Sequence, residues 1–271
     1  MTRLYSDAHL HLTSLAENAV EAVLSGPDSM LCSSAFTLKE WQELCSIEEA
    51  VKGDVRILKA FGIHPQNPDI EGLEILEKLL SESGTGAPDA IGEAGYDFFT
   101  KVFEAQEKQQ DEAWYGQLEL AATYGKPLVV HLRHAVDRMF RDASILKKVP
   151  SVIFHSFPGS PLEAEALRKR GINAYFSFGK PVMNKRKNSI ECVQKLPDEW
   201  IFFETDAPFQ TLKGETSTQI ADIARIFEVA ALLRGYGITV ESAENQEGLQ
   251  SGPEKLAAIA GANFRKAYML D

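Results

Sequence analysis

Eight short apolar, β-prone segments recur along the chain with helix-patterned stretches between them, and that rotation leaves few folds open. They are LYSDAHL, MLCSSAF, VRILKAFGIHP, DAIGEAGYD, PLVVHLR, SVIFHSF, AYFSFGK and WIFFETDAP. Between them apolar residues fall at helical spacing, as at Ile220, Ile223, Phe227, Ala230 and Ala231, or at Leu118, Ala121 and Ala122. Strand and helix in alternation imply parallel strands joined by crossover helices. Eight such units of roughly thirty residues predict an α/β fold, a closed (β/α)8 TIM barrel, with an open doubly wound sheet as the alternative. Gly125-Lys126-Pro127 and Gly171 mark helix ends before the fifth and seventh strands. Length alone permits one domain or two, and the eight-unit pattern predicts a single one over residues 1–271. Residues 235–253 lack helical spacing and read as a surface excursion before a last helix over 254–268.

With 44% hydrophobic and 25% charged residues, the chain has the side chains for a sizeable core. Its three cysteines, Cys32, Cys45 and Cys192, have no CxxC spacing, which argues against a disulfide framework and a thiolate zinc site. No eighteen-residue apolar run and no signal-peptide core are present. A soluble cytoplasmic protein without membrane contact or an obligate protein partner is therefore expected. The formal net charge of -11 repels a polyanion at long range. Divalent cations in a local site would reverse the field there, so a phosphate ester is still admissible as substrate.

The six histidines are distributed unevenly. His9 and His11 stand one residue apart at the end of the first strand, on one face, with Asp7 one pleat behind. His64, His131 and His155 also lie at strand ends, and only His134 falls beyond one. In a parallel barrel the C-terminal strand ends meet at one mouth. Two carboxylates, Glu93 and Asp206, occupy equivalent points after apolar strands, where a buried charge is costly unless paired or metal-bound. These six groups suffice for two divalent ions: His9, His11 and Asp206 on one, His131 and His155 on the other, Glu93 bridging. Two metals about 3.5–4 Å apart can share a water, lower its pKa toward ~7 and make it the nucleophile. Asp206 is either a pure ligand or also the acceptor of that water's proton.

The motifs that contain these residues resemble those of the TatD-family metal-dependent deoxyribonucleases of the amidohydrolase superfamily. They run in order as DxHxH at Asp7, His9 and His11, GIHP at 62–65, GEAGYD at 92–97, VVHLRHA at 129–135, FHSFPGS at 154–160, SFG at 177–179 and ETDAP at 204–208. The resemblance implies a TIM barrel, a divalent-metal site and hydrolysis of phosphodiesters, typically trimming DNA from an end. It places the ligands on the same six residues, with Asp206 and Glu93 as the catalytic carboxylates, and His64 at the substrate phosphate or behind the ligands. It allows Mg2+, whereas four imidazoles favour Zn2+ or Mn2+. Where relatives have GEIGLD this chain has Ala94 and Tyr96, and after ETDAP it reads FQTLKGETSTQ in place of a proline-rich stretch.

Further residues carry expectations of their own. Arg133, two beyond His131, is placed to clamp a phosphate, and Lys180, heading the basic run Lys185, Arg186 and Lys187, to bind substrate on the same face. Glu204 and Asp7 are expected to orient liganding histidines. Tyr96, Phe98, Phe99 and Phe157 could stack on bases or pack, while Trp114 and Leu118 read as helix packing. Two other functions share the fold: hydrolysis of a small C–N or ester bond with the same metals, and a non-catalytic phosphate-binding barrel. Glu93, where other barrels carry a carbamylated lysine, favours the nuclease.

Overall fold

The structure, a computed structural model, describes residues 4–15, 18–82, 86–236 and 252–270. Eight strands appear where the apolar segments predict them: β1 (Tyr5–Leu10), β2 (Asp28–Ala35), β3 (Arg56–Phe61), β4 (Ala90–Asp97), β5 (Leu128–Arg133), β6 (Val152–Phe154), β7 (Ala174–Phe178) and β8 (Ile201–Phe203). They pair in parallel in the order β1 to β8. The ring closes just past β8, where Asp206 N donates to His9 O at 2.9 Å and His11 N to Ala207 O at 2.8 Å. This is the (β/α)8 barrel rather than the open sheet.

The helices of the outer layer are α1 (Ala19–Ser25), α2 (Leu38–Ala50), α3 (Gly72–Ser81), α4 (Lys101–Glu104), α5 (Glu107–Tyr124), α6 (Val136–Arg141), α7 (Ala143–Leu146), α8 (Pro161–Lys169), α9 (Lys187–Lys195), α10 (Asp222–Leu233) and α11 (Gly252–Ala267). Local chemistry sets their starts: Thr37 accepts from Glu40 N ahead of α2, and Ser160 forms a capping box with Glu163 at α8. Of the excursion expected over 235–253, residues 237–251 lie outside the described residues.

Alternation along each strand divides the core in two. Leu128, Val130, Phe154, Phe176 and Phe203 face the helices, with Trp114 and Leu118 of α5 in the same cluster. Cys32, Leu58, Ala60, Ala90, Val129, Ile153, Tyr175 and Phe202 fill the barrel, where Phe264 and Tyr268 at the end of the chain join them. Tyr268 donates to Ala8 O at 2.9 Å, so the chain's C-terminal end closes the barrel from beneath. One pleat above this floor the inward positions become His131, His155 and Glu204.

Besides a shift between Tyr5 and Ser6 at the start of β1, two register shifts interrupt the ladder near the mouth, between Asp7 and Leu10 in β1 and between Ile91 and Ala94 in β4. They bracket His9 and Glu93, and irregularities of this kind re-aim side chains beside active sites. Two glycines make the β4 irregularity possible. Gly92 (φ +145) and Gly95 (φ +132) press so close to β5 that a Cβ would stand 2.5 Å from Val129 O and 2.3 Å from His131 O. Gly95→Ala is therefore expected to cost about 2–5 kcal/mol, backbone strain and overpacking combined, read as a lowered denaturant midpoint. A midpoint equal to wild type would show that β4 can shift to admit the methyl group.

Candidate metal centre

Five of the six histidines converge at the C-terminal mouth with Glu93 and Asp206. His9 and His11 bring their Nε2 atoms within 3.1 Å of each other. Glu93 Oε1 lies 3.3 and 3.4 Å from these two nitrogens, and Asp206 Oδ1 lies 3.6 and 3.3 Å from them. On the other side, His131 Nδ1 and His155 Nε2 are 3.0 Å apart, and Glu93 Oε2 is 3.3 and 2.6 Å from them. The two oxygens of Glu93 thus serve two separate histidine pairs.

These spacings fit cations. With bonds of about 2.1 Å, neighbouring donors sit roughly 3.0 Å apart in an octahedron and roughly 3.4 Å apart in a tetrahedron. Two imidazole lone pairs facing each other at 3.1 Å repel unless a proton or a metal lies between them. Glu93 Oε1 is buried and makes no hydrogen bond despite its two neighbouring nitrogens. Borderline imidazole nitrogens combined with hard carboxylate oxygens suit a divalent transition ion.

The electrostatics agree. Burial alone would raise the Glu93 carboxyl, but His155, His9 and the hydrogen bonds around it hold it well below the usual carboxylate range. Burial likewise opposes ionisation of Asp206, and the hydrogen bond to His11 together with the nearby charges of His9, His11 and His155 outweighs it and lowers its pKa. Burial pushes His64 down to about 3, although Glu93 pulls the other way. His64 Nδ1 accepts from Gln66 N at 3.2 Å, so in the neutral ring Nε2 carries the hydrogen. That nitrogen sits 3.8 Å from Glu93 Oε2, beyond hydrogen-bond distance, with its N–H unspent on that oxygen. Its backbone approach is fixed by Gln117, which bonds Ile63 N at 2.8 Å and Ile63 O at 3.1 Å.

The other sequence candidates divide. Glu204, fully buried, has Oε1 3.8 Å from His155 Nδ1, next to one of the candidate histidines but beyond hydrogen-bond distance. Asp7 does something different from orienting an imidazole: it accepts from His9 N at 3.2 Å, Thr205 N at 3.0 Å and Thr205 Oγ1 at 2.6 Å, tying β1 to the end of β8. Burial pushes its carboxyl up to about 7 against these three hydrogen bonds. Arg133 is half-exposed, its guanidinium 3.8 Å over the Phe99 ring and 3.6 Å from Asp97 Oδ2.

Lys180 is not placed to meet a substrate. It is 1% exposed, and its ammonium is bound by Glu215 at 2.5 Å and Asp222 at 2.7 Å, so its charge is already neutralised inside the protein. Lys185, Arg186 and Lys187 are exposed. Among the aromatics Tyr96 and Phe157 are buried packing residues, Tyr96 donating to Asp111 at 2.6 Å on the helix side of β4, while Phe99 is 55% exposed.

Four residues at the site were not among the sequence candidates. Asp97 Oδ2 lies 3.1 Å from His131 Nε2 and accepts from Gln66 at 2.8 Å, so it fixes which nitrogen His131 turns to Glu93. Counting by twos from Glu93 reaches Asp97, a signal the sequence does contain. Phe36 and Phe209 pack against His11 with ring centroids 5.6 and 5.0 Å away. Gln210 donates to Asp206 Oδ2 at 2.7 Å. No periodicity points to the last three, because each lies in a loop.

Comparison with known proteins supplies the remaining context. The family model described as TatD related DNase matches residues 6–269. An uncharacterized metal-dependent hydrolase of Mycoplasma pneumoniae is 30% identical over 162 residues, covering 56% of this chain and 61% of that protein. A 3'-5' ssDNA/RNA exonuclease TatD of Escherichia fergusonii is 30% identical over 151 residues, 55% of this chain and 56% of its own. The chain thus spans little more than half the length of these two curated relatives. The crystal structure of a TatD homologue from Escherichia coli superposes with a TM-score of 0.80 at 21% identity, covering 98% of both chains, and shares the fold. Among the described residues no helix is long and apolar enough to cross a membrane.

Proposed function

The chain belongs to the TatD-related DNase family, and from that premise we propose that it is a metal-dependent hydrolase of phosphodiesters, trimming DNA from an end. The reading rests chiefly on one observation, the division of Glu93's two oxygens between the His9–His11 pair and the His131–His155 pair. His9, His11 and Asp206 would hold one divalent ion, His131 and His155 the other, and Glu93 both. Zn2+ or Mn2+ suits the imidazoles best, with Mg2+ the oxygen-preferring alternative. When bound, such a pair supplies an activated water and polarises the phosphoryl oxygens.

The protein's own groups supply the rest. Asp206 turns Oδ1 to the imidazoles and keeps a lone pair on Oδ2, able to take a proton from the attacking water and return it to the leaving oxygen. His64, neutral and with Nε2–H directed into the site, donates to a substrate oxygen. Arg133, held over the Phe99 ring, presents its guanidinium to a neighbouring phosphate. Arg133→Ala should raise KM for a single-stranded oligonucleotide about tenfold and leave kcat within about threefold, a loss of ground-state binding visible in steady-state kinetics. The buried thiols Cys32 and Cys192 suit a reducing compartment, and we place this catalytic domain, taken as residues 1–271, in the cytoplasm.

The purified protein, stripped with chelator and reloaded with Mn2+ or Zn2+, is assayed on end-labelled single-stranded DNA, a chromogenic phosphodiester and a dihydropyrimidine. Metal-restored cleavage of the first two is the expected result. Turnover of the dihydropyrimidine alone would move the protein to C–N hydrolysis.

A further inference from the structure

Gln210 lies four residues past Asp206, in the turn after β8. Its Nε2 is 2.7 Å from Asp206 Oδ2 and 2.7 Å from Ser156 Oγ. A primary amide has two N–H donors, so one nitrogen serves both acceptors and is fully used. Asp206 Oδ1, the other oxygen, faces His11 and His9. Ser156 directly follows His155. A single side chain therefore links the backbone beside a β6 histidine to the β8 carboxylate, passing over the end of β7.

The backbone at all three corners of this link is unusual. Ser156 (φ +45), Asp206 (φ +55) and Gln210 (φ +53) are left-handed, a conformation that residues with a Cβ avoid. Such conformations persist where the surroundings over-determine them, and they gather at functional sites. Gly179, just past β7, leaves room for the amide: a Cβ there would stand 3.2 Å from Gln210 Oε1 and 2.9 Å from Glu204 O.

We infer that Gln210 is a positioning residue that fixes the Asp206 carboxylate, Oδ1 toward the imidazole pair and Oδ2 toward the incoming water. The inference rests on the proposed role of Asp206 as ligand and proton acceptor. Without the amide the carboxylate is free to rotate and offer both oxygens to one ion, and Oδ2 loses its aim.

The test compares wild type, Gln210→Met, which keeps the side-chain length but no donor, and Ser156→Ala, which keeps the bond to Asp206. Each is loaded with Co2+ for its visible absorption spectrum and with Mn2+ for stoichiometry and for kinetics on a chromogenic phosphodiester. Gln210→Met should bind the wild-type number of ions, lose about tenfold or more in kcat with KM within about twofold, and show altered Co2+ bands. Ser156→Ala should stay within about threefold of wild-type kcat. If Gln210→Met fails to fold, judged by circular dichroism, Gln210→Asn, too short to span both acceptors, takes its place with the same expectations. Unchanged Co2+ bands with unchanged kcat overturn the inference, and so does a fall in kcat matched by an equal loss of bound metal. A wild type inactive on phosphodiesters, with Co2+ bands that still shift in the variant, would sink the proposed substrate and leave the positioning role standing.

Discussion

Glu93→Ala should bind neither ion tightly and lose at least about 10³-fold in kcat/KM for a chromogenic phosphodiester, about 4 kcal/mol of transition-state stabilisation. The size follows from its place. Among the described residues Glu93 is the one anion whose two oxygens reach both histidine pairs, at 3.3 and 3.4 Å on one side and 3.3 and 2.6 Å on the other. Removing it leaves His131 and His155 with no anionic donor between them at 3.0 Å, and His9 and His11 with Asp206 alone. Glu93→Gln should be nearly as damaging. Its amide keeps one oxygen donor and turns a pair of N–H groups toward the other cation. Metal analysis by mass spectrometry and steady-state kinetics decide the matter. Two ions per chain with activity within about tenfold of wild type would remove Glu93 from the bridge.

Asp206→Asn should retain both ions and lose about 10²–10⁴-fold in kcat, the usual contribution of a positioned proton acceptor. Asparagine keeps an oxygen to face the imidazoles but has no basic group for the water's proton. Gln210 can turn its amide so that Oε1, which has no hydrogen-bond partner, meets the new N–H group, and the turn after β8 survives the substitution. Wild-type turnover in this variant would mean that another group accepts the proton.

The barrel was legible because strand and helix periods differ, and the candidate metal-binding cluster because the inward pleat of each strand turns polar where it reaches the mouth. Val129 to His131, Ile153 to His155 and Phe202 through Glu204 to Asp206 follow one rule, two residues per step. The same parity places Tyr96, three beyond Glu93, on the helix side of β4, where it is fully buried and bonded to Asp111 rather than turned to a substrate. Lys180 could not be read this way. Its partners Glu215 and Asp222 come from the loop beyond β8 and the first turn of α10, and pairing over that distance leaves no local trace. Asp7 shows a related limit. Its position behind His9 was readable, but its partner Thr205 is 198 residues away and becomes its neighbour only when β8 closes against β1. Gln210, Phe36 and Phe209 lie on loops, where side-chain direction follows backbone dihedrals that no period encodes.

Crystals loaded with Mn2+ and measured at its absorption edge test the two-cation centre most directly. Two anomalous peaks roughly 3.5–4 Å apart are expected, one among His9, His11 and Asp206, the other beside His131 and His155, with Glu93 between them. A single peak, or peaks away from Glu93, would contradict it.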